Sequence, residues 1–195
     1  MQEVMERDEQ IELIKHNITH LCDIFNFNLL LDYLLDSDFF EAPASTRFHG
    51  SYKGGLAIHT YNVYNELYPI LKERTTLFNP NEVAFKLALC HDLCKIGVYK
   101  TEMRNTKNEK GEWIKVPFYI FDDPYPYGHG EKSVQLAELW GVELTAEEKL
   151  AIRWHMGAFD QAVKGGFNIS PVFESNKLAL YLHIADMLAT YGGNE

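Results

Sequence analysis

The chain has 195 residues, of which 46% are hydrophobic, so it can form one domain with a sizeable core, and we expect a single domain over residues 1–195. Its formal net charge of −10 disfavours a protein that binds long duplex nucleic acid, because such proteins neutralise phosphates with a basic surface. No apolar run reaches the roughly 20 residues of a membrane span, and the N-terminus lacks a signal peptide's basic and apolar regions, so we expect a cytoplasmic protein without a membrane partner.

The hydrophobic spacing predicts a mainly helical chain. Apolar residues recur every three to four positions, and Gly, Pro and Asn residues separate the periodic segments. The predicted helices cover about residues 11–25, 27–35, 54–72, 81–95, 130–140, 145–156 and 174–190. Asn81 is the expected N-cap of the fourth helix, and a Gly/Phe-rich loop is expected over 157–173.

The tract 98–128 departs from this helical pattern. Two segments of extended character, 98–103 and 113–121, flank the turn-like residues 108–111, which predicts a β-hairpin inserted between helices. The segment 95–115 contains six basic and three acidic residues, so it is the basic part of an acidic chain. A local positive charge of this kind can receive a small polyanion, and we expect the insertion to form a flexible cover.

Three cysteines, Cys22, Cys90 and Cys94, are predicted to be buried core thiols. The spacing of four between Cys90 and Cys94 places them on one helical face and does not match a CxxC metal knuckle. Redox or ligand roles are the less favoured alternative. His16 and His20 lie off the apolar stripe of their helix and are predicted to be a solvated surface pair.

An adjacent His91 and Asp92 lie in the otherwise apolar segment 87–95. Desolvating an ionised Asp costs several kcal/mol unless a cation or hydrogen-bond donors compensate, and an imidazole beside it makes a divalent metal the natural cation. Each other candidate ligand taken singly would more often be a hydrogen-bonded core residue, but several converging sites favour a metal-dependent hydrolase. The candidate co-ligands are His59, His129, His155 and Asp186.

These segments resemble the HD superfamily of metal-dependent phosphohydrolases, whose minimal pattern is His…His-Asp…Asp. Residues 49–60 are similar to the segment that precedes the first ligand in HD-type 3′→5′ exoribonucleases, and residues 88–97 are similar to the HD helix, including Lys95. The resemblance covers 49–98 and 127–187 and implies an all-α HD-domain helical bundle. It also implies a first metal held by His59, His91, Asp92 and Asp186.

The segments around His129 and His155 resemble the extra ligand positions of HD members with two metals, HD-GYP phosphodiesterases among them, in which Asp92 would bridge the ions. Many of those relatives have His-His where this chain has His155-Met156, which argues against a third metal and leaves one or two ions open. Mixed nitrogen and oxygen ligands suit Fe, Mn, Co, Ni or Zn better than Mg.

The resemblance implies hydrolysis of a phosphoester by a metal-activated water. Asp92 and Lys95 are the predicted catalytic residues, and Lys95 would stabilise charge that develops on the phosphate, with a solvated end-of-helix cation as the alternative. The expected partner is a small phosphorylated substrate, namely a nucleotide, a cyclic nucleotide or a short oligonucleotide. A non-catalytic HD module that binds metal and senses a nucleotide is the alternative function, and a homo-oligomer is compatible with the sequence.

Five side chains outside the ligand set are candidate substrate-binding residues, because cations can meet phosphates and aromatic rings can stack on a base. Ordinary surface charge and aromatic packing on the helices are the alternatives. His49 lies close to the first ligand in the sequence, and its role is either contact with a phosphate or ordinary surface charge. His183 either supports Asp186 or is simply packed in the core. The five candidates are Arg47, Lys53, Lys100, Arg104 and Tyr127.

Overall fold

The computed structural model describes residues 2–160, 163 and 169–192, with side chains from residue 6 onward. The described residues form eight α-helices and one two-stranded antiparallel sheet, which confirms a mainly helical fold with a small β-hairpin. Within these residues, no helix combines the length and the apolar character needed to cross a membrane.

The helices follow the predicted order closely. They are α1 (Gln2–Phe25), α2 (Asn28–Asp36), α3 (Gly55–Arg74), α4 (Pro80–His91), α5 (His129–Leu139), α6 (Ala146–Trp154), α7 (Ile169–Ser175) and α8 (Lys177–Tyr191). Short 3₁₀ turns follow α4 and α6, at Leu93–Lys95 and Gly157–Phe159.

The fourth helix differs from its predicted bounds at both ends. Asn79, and not Asn81, is the N-cap, because its side-chain oxygen accepts a hydrogen bond from the Glu82 backbone N–H at 3.3 Å. The helix stops at His91, and Asp92 leaves the helical backbone at φ −115° and ψ 18°. The prediction of one continuous helix through residue 95 was therefore wrong, and the change of direction occurs at the His91-Asp92 pair.

The loop predicted over 157–173 is partly wrong, because α7 begins at Ile169. The predicted C-terminal helix is divided at Asn176, whose side chain accepts from the Ala179 backbone N–H at 3.1 Å and caps α8. Residues 161–162 and 164–168 of the predicted loop lie outside the described part of the chain.

The core is built around α3, which packs against α4 and α8, while α6 packs against both α5 and α8. Burying a Leu or Phe side chain contributes about 1.5–3 kcal/mol each, so these apolar contacts hold the helices that carry the site. The largest fully buried side chains in these helices include Leu56, Ile58, Leu67, Phe85, Leu87 and Leu89. The three cysteines are also buried, as predicted.

The hairpin consists of β1 (Tyr99–Lys107) and β2 (Trp113–Phe121), in a register that runs from the pair Tyr99 and Phe121 to the pair Lys107 and Trp113. Its root is fixed to the helical domain, because the Tyr99 hydroxyl donates to the Ala44 carbonyl at 3.2 Å. The side chains at its far end are exposed to solvent, and Trp113 is 70% exposed. The predicted insertion between α4 and α5 is thus attached to the helical domain at its root, and its far end lies outside the hydrophobic core.

Candidate metal centre

Five helices bring the predicted metal ligands together at one point in the bundle. Side chains on facing helices are the usual way in which helical proteins build a metal site. The ligands are His59 on α3, His91 at the end of α4, Asp92 directly after it, His129 at the start of α5, His155 directly after α6 and Asp186 on α8.

The first group of ligands joins α3, α4 and α8. His59 Nε2 lies 3.1 Å from Asp186 Oδ1 and 3.4 Å from His91 Nε2. His59 and His91 are buried, and Asp186 is 15% exposed at its side chain. Two imidazoles and a carboxylate at this spacing can hold one metal ion.

The second group is centred on Asp92, which is 3% exposed. Asp92 Oδ1 lies 2.9 Å from His129 Nε2 and 3.8 Å from His155 Nε2, while Asp92 Oδ2 lies 3.2 Å from His91 Nε2. The two carboxylate oxygens therefore face different imidazoles. This arrangement permits one carboxylate to bridge two ions, as the resemblance implied.

The nitrogen atoms that face the centre fit a metal ion. His91 Nδ1 lies 2.6 Å from the Ala88 carbonyl, and His155 Nδ1 lies 2.7 Å from the Ile152 carbonyl. A carbonyl only accepts, so both Nδ1 atoms donate, and Nε2 carries the lone pair whenever the ring is neutral. Burial lowers the pKa of His91, but Asp92 outweighs burial and raises it, so metal binding to His91 would release the Nε2 proton. His155 Nε2 is buried and has no hydrogen-bond partner among the described residues. A divalent cation would satisfy this atom.

The charges in the centre are strongly coupled. Burial raises the pKa of Asp92, but Lys95 and His91 outweigh burial and hold it well below the usual range. Lys95 Nζ is 2.7 Å from Asp92 Oδ2. Burial also lowers the pKa of His155 to about 3, with His91 and His129 adding to the effect, so its imidazole is neutral at neutral pH. A neutral imidazole is the form that binds a metal.

Asp186 and His129 have shifted pKa values for other reasons. Burial raises the pKa of Asp186, but the hydrogen bond and charge of His59 outweigh burial and lower it. Burial lowers the pKa of His129, but Cys94 and the hydrogen bond to Asp92 outweigh it and raise the value to about 10. Binding of a metal to His129 therefore requires release of a proton.

Two histidines whose roles could not be decided from the sequence, His49 and His183, lie against the candidate metal ligands. The His49 ring is 5.1 Å from the His59 ring, and burial, together with His59 and Lys95, lowers the pKa of His49 to about 4. His183 Nδ1 donates to the His155 carbonyl at 2.6 Å, so His183 supports the backbone of a ligand on another element. His16 and His20 are exposed, as predicted.

One contact in the centre was missed by the sequence analysis. Cys94 Sγ lies 3.2 Å from His129 Nδ1, and Asp92, Cys94 and His129 form a third group of neighbouring metal-type ligands. Cys94 is two residues beyond Asp92, but the turn in which it lies was predicted as regular helix. The pairing with His129, 35 positions away, had no signal in the sequence.

Three of the five candidate substrate-binding residues, Arg47, Lys53 and Arg104, line one cavity of about 590 Å³ between the segment 46–53 and the hairpin. Lys53 Nζ also lies 3.8 Å from Asp8 Oδ1 and 3.7 Å from Glu41 Oε1, so these carboxylates partly neutralise the charge of Lys53. The aromatic residues Tyr52, Phe118 and Tyr119 line the same cavity.

The other two candidates lie elsewhere. Lys100 is exposed and bonds to Asp122 within the hairpin region. Tyr127 stacks on Tyr125 with 5.6 Å between the ring centroids, and it lines a different, shallow cavity beside Lys149. The structure therefore does not gather the five residues into a single substrate site.

A separate cavity of about 450 Å³ opens onto the second ligand group, since Cys94 and His129 line it. Volumes of about 300–1,000 Å³ are typical of small-molecule sites. Arg153 in its wall forms two salt bridges. Arg153 Nε lies 2.5 Å from Glu131 Oε1, and Arg153 Nη1 lies 2.6 Å from Asp160 Oδ2. The remaining lining consists of the carboxylate of Asp123, the backbone at Gly128 and four aromatic or apolar side chains, those of Phe121, Pro126, Met156 and Phe159.

No protein-family model, curated protein or solved structure matches this chain. What the centre does must therefore be inferred from the chemistry of its own side chains.

Proposed function

We propose that this protein is a metal-dependent phosphohydrolase of the HD type, which hydrolyses a phosphoester of a nucleotide, a cyclic nucleotide or a short oligonucleotide. The observation that carries the proposal is the position of Asp92. Its buried carboxylate lies between two groups of imidazoles, and its Oδ2 is 2.7 Å from Lys95 Nζ. A buried carboxylate among several imidazoles is the chemistry of a divalent metal site, and the lysine adds a cation for a phosphate.

The candidate ligands form two groups, each of which would hold one ion. His59, His91 and Asp186 would hold one ion, and His129 and His155 would hold a second ion together with Asp92. A bound divalent transition ion such as Fe, Mn, Co, Ni or Zn lowers the pKa of water towards neutrality and polarises phosphoryl oxygens. The Nδ1 bonds of His91 and His155 to backbone carbonyls fix the orientation of both rings before any ion binds.

Lys95 supplies positive charge where a substrate phosphate would approach. Burial lowers the pKa of Lys95, but Asp92 outweighs burial and raises it, so the ammonium group keeps its charge. Its side chain is 14% exposed, which leaves it within reach of the solvent side of the centre. With Asp92 holding metal, the Lys95 ammonium group would be available to a phosphate oxygen, where it would stabilise developing negative charge.

The surrounding cavities favour a small substrate. The cavity beside His129 is of nucleotide size and partly aromatic, and Arg47, Lys53 and Arg104 line the second cavity at the hairpin. The same surroundings would also serve the alternative function, a metal-containing module that binds a nucleotide without turnover. Turnover is the property that separates the two functions.

The test begins with metal analysis of protein purified without a chelator after growth with each candidate metal. We expect stoichiometric metal in the wild type and loss of metal in Asp92→Ala, which lacks the carboxylate between the two groups of imidazoles. Wild-type protein without bound metal under every supplement would contradict the metal centre.

The second part measures hydrolysis of nucleoside monophosphates and triphosphates, cyclic dinucleotides and short oligonucleotides by chromatographic separation of the products, because cleavage of a phosphodiester releases no free phosphate. We expect turnover of at least one of these compounds by the metal-loaded wild type and none by Asp92→Ala. Normal turnover by metal-free Asp92→Ala protein would overturn the mechanism. Tight binding of a nucleotide by a metal-loaded wild type that never turns it over would favour the sensor.

A further inference from the structure

The imidazole of His129 is held from both sides. Its Nε2 lies 2.9 Å from Asp92 Oδ1, and its Nδ1 lies 3.2 Å from Cys94 Sγ. Cys94 is 5% exposed, whereas the His129 side chain is 29% exposed at the wall of the cavity. Without the contact to sulfur, no described side chain would restrain the outer nitrogen of this ring.

The position of Cys94 is itself fixed. Its backbone N–H donates to the Ser133 hydroxyl at 3.2 Å, and Ser133 is fully buried on α5, one turn beyond His129. The 3₁₀ turn that carries Cys94 is therefore tied to the helix that carries His129. This hydrogen bond fixes the sulfur relative to the helix that carries the imidazole.

His129 differs in this respect from the neighbouring imidazoles. The Nδ1 atoms of His91 and His155 donate to the backbone carbonyls of Ala88 and Ile152, which are acceptors only. His129 Nδ1 instead meets a thiol, which is a weak donor and a weak acceptor. His129 is thus the imidazole of the second group whose outer contact is made by a side chain.

A thiol suits both states of the ring. In the absence of a metal, the doubly protonated His129 ring donates from Nε2–H to Asp92 and from Nδ1–H to the Cys94 sulfur. For Nε2 to offer its lone pair to an ion, the proton must reside on Nδ1, and the sulfur then accepts the hydrogen bond from Nδ1–H. Cys94 can therefore accept from Nδ1–H both before and after Nε2 releases its proton to bind an ion.

We propose that Cys94 is a positioning residue that holds His129 in the Nδ1–H tautomer with Nε2 directed at the second metal. Cys94 is not itself a ligand of that ion, because the sulfur and Asp92 contact opposite nitrogens of the His129 ring. The inference rests on the proposed metal centre and is independent of the reaction and substrate.

The test compares Cys94→Ala, which removes the contact, with Cys94→Ser, which keeps a group that donates and accepts. Titration of metal-free full-length protein with Zn²⁺ or Mn²⁺ measures both ions. Loss of a residue that orients a metal-binding histidine typically weakens metal binding about 10- to 100-fold. We expect that loss for the second ion in Cys94→Ala, restoration to within a few-fold in Cys94→Ser, and no change for the first ion. Cys22→Ala, at another buried cysteine, is the matched control and should bind both ions normally.

Two spectroscopic measurements complete the test. In ¹⁵N-histidine NMR of the Zn²⁺-loaded wild type, His129 should carry its proton on Nδ1, and a proton on Nε2 would overturn the inference. In Co²⁺-loaded protein, a sulfur-to-cobalt charge-transfer band that is absent in Cys94→Ser would make Cys94 a ligand and would also overturn it.

The failures of the two proposals are distinguishable. If the wild type binds both ions and Cys94→Ala binds the second with equal affinity, the role of Cys94 is refuted and the metal centre stands. If the wild type binds no metal, the metal centre fails, and the role of Cys94 fails with it.

Discussion

Gly130, directly after His129, offers a way to displace a ligand without changing it. Gly130 lies on α5 where this helix packs on α6. A Cβ atom at residue 130 would lie 2.6 Å from Cα and 2.7 Å from the carbonyl carbon of Arg153, whereas ordinary contacts of this kind lie at 3.4–4 Å. These are backbone atoms that cannot rotate away, so in Gly130→Ala we expect α5 and α6 to separate by about 1 Å, since a close-packed interior has little space for the methyl group.

The separation has two calculable effects. Overpacking of this kind costs typically about 1–3 kcal/mol of unfolding free energy. In a chain of this size each kcal/mol lowers Tm by about 2–4 °C, so the total fall is about 2–12 °C. His129 moves with α5 and His155 stays with α6, while the first ligand group lies on other helices. We therefore expect the second ion to bind at least about 10-fold more weakly, as when the support of a metal ligand is lost, with the first ion unchanged.

Thermal unfolding of the metal-free protein and a two-ion titration measure these effects. The control is Gly111→Ala in the hairpin turn, where φ is +79° and nothing lies within 4 Å of an added Cβ. This variant introduces backbone strain far from α5, so it should lose stability and keep both metal affinities. If Gly130→Ala has the wild-type Tm and binds the second ion with wild-type affinity, the link between helix packing and ligand position is refuted.

Three other results are expected. A metal at 100 times its Kd should stabilise the wild type by about 2.7 kcal/mol, which raises Tm by about 5–11 °C in differential scanning fluorimetry. An equal rise of Tm in Asp92→Asn would mean that the ion binds away from Asp92. Lys95→Ala should retain its metal and lower kcat about 10²- to 10³-fold, whereas an unchanged kcat at full metal loading would mean that the ammonium group is only structural. Replacing residues 99–121 by a short Gly-Ser turn should raise KM with bound metal unchanged, and wild-type kinetics in that variant would exclude the hairpin as a cover.

The candidate ligands and most secondary structure could be predicted because their signals are local. Apolar residues at helical spacing give each helix a face to bury, and turn residues between two extended segments favour a hairpin. An adjacent His91 and Asp92 in an apolar segment are costly to bury without a compensating charge, so their chemistry is visible without any tertiary contact. The helical stretches and six of the residues that meet at the centre were therefore predicted, whereas the contact of Cys94 with His129 was not.

Helix ends were less predictable, because several residues can compete for one capping position. Asn79 and Asn81 both lie near the start of α4, and only the backbone geometry selects Asn79. At the other end, the turn at Asp92 interrupts an apolar segment that is periodic enough to continue as helix. This turn directs the Asp92 carboxylate to two groups of imidazoles, so a local error in the predicted helix concealed the feature that organises the centre.

The amino-acid sequence by itself determined which side chains could bind a metal and which segments would be helical or extended. The tertiary structure alone decided that Cys94 meets His129, that carboxylates flank Lys53, and that the candidate substrate-binding residues lie at separate places. The physical reason is that periodicity and capping act over a few residues, whereas a contact between residues 35 positions apart depends on how α5 packs beside the turn after α4.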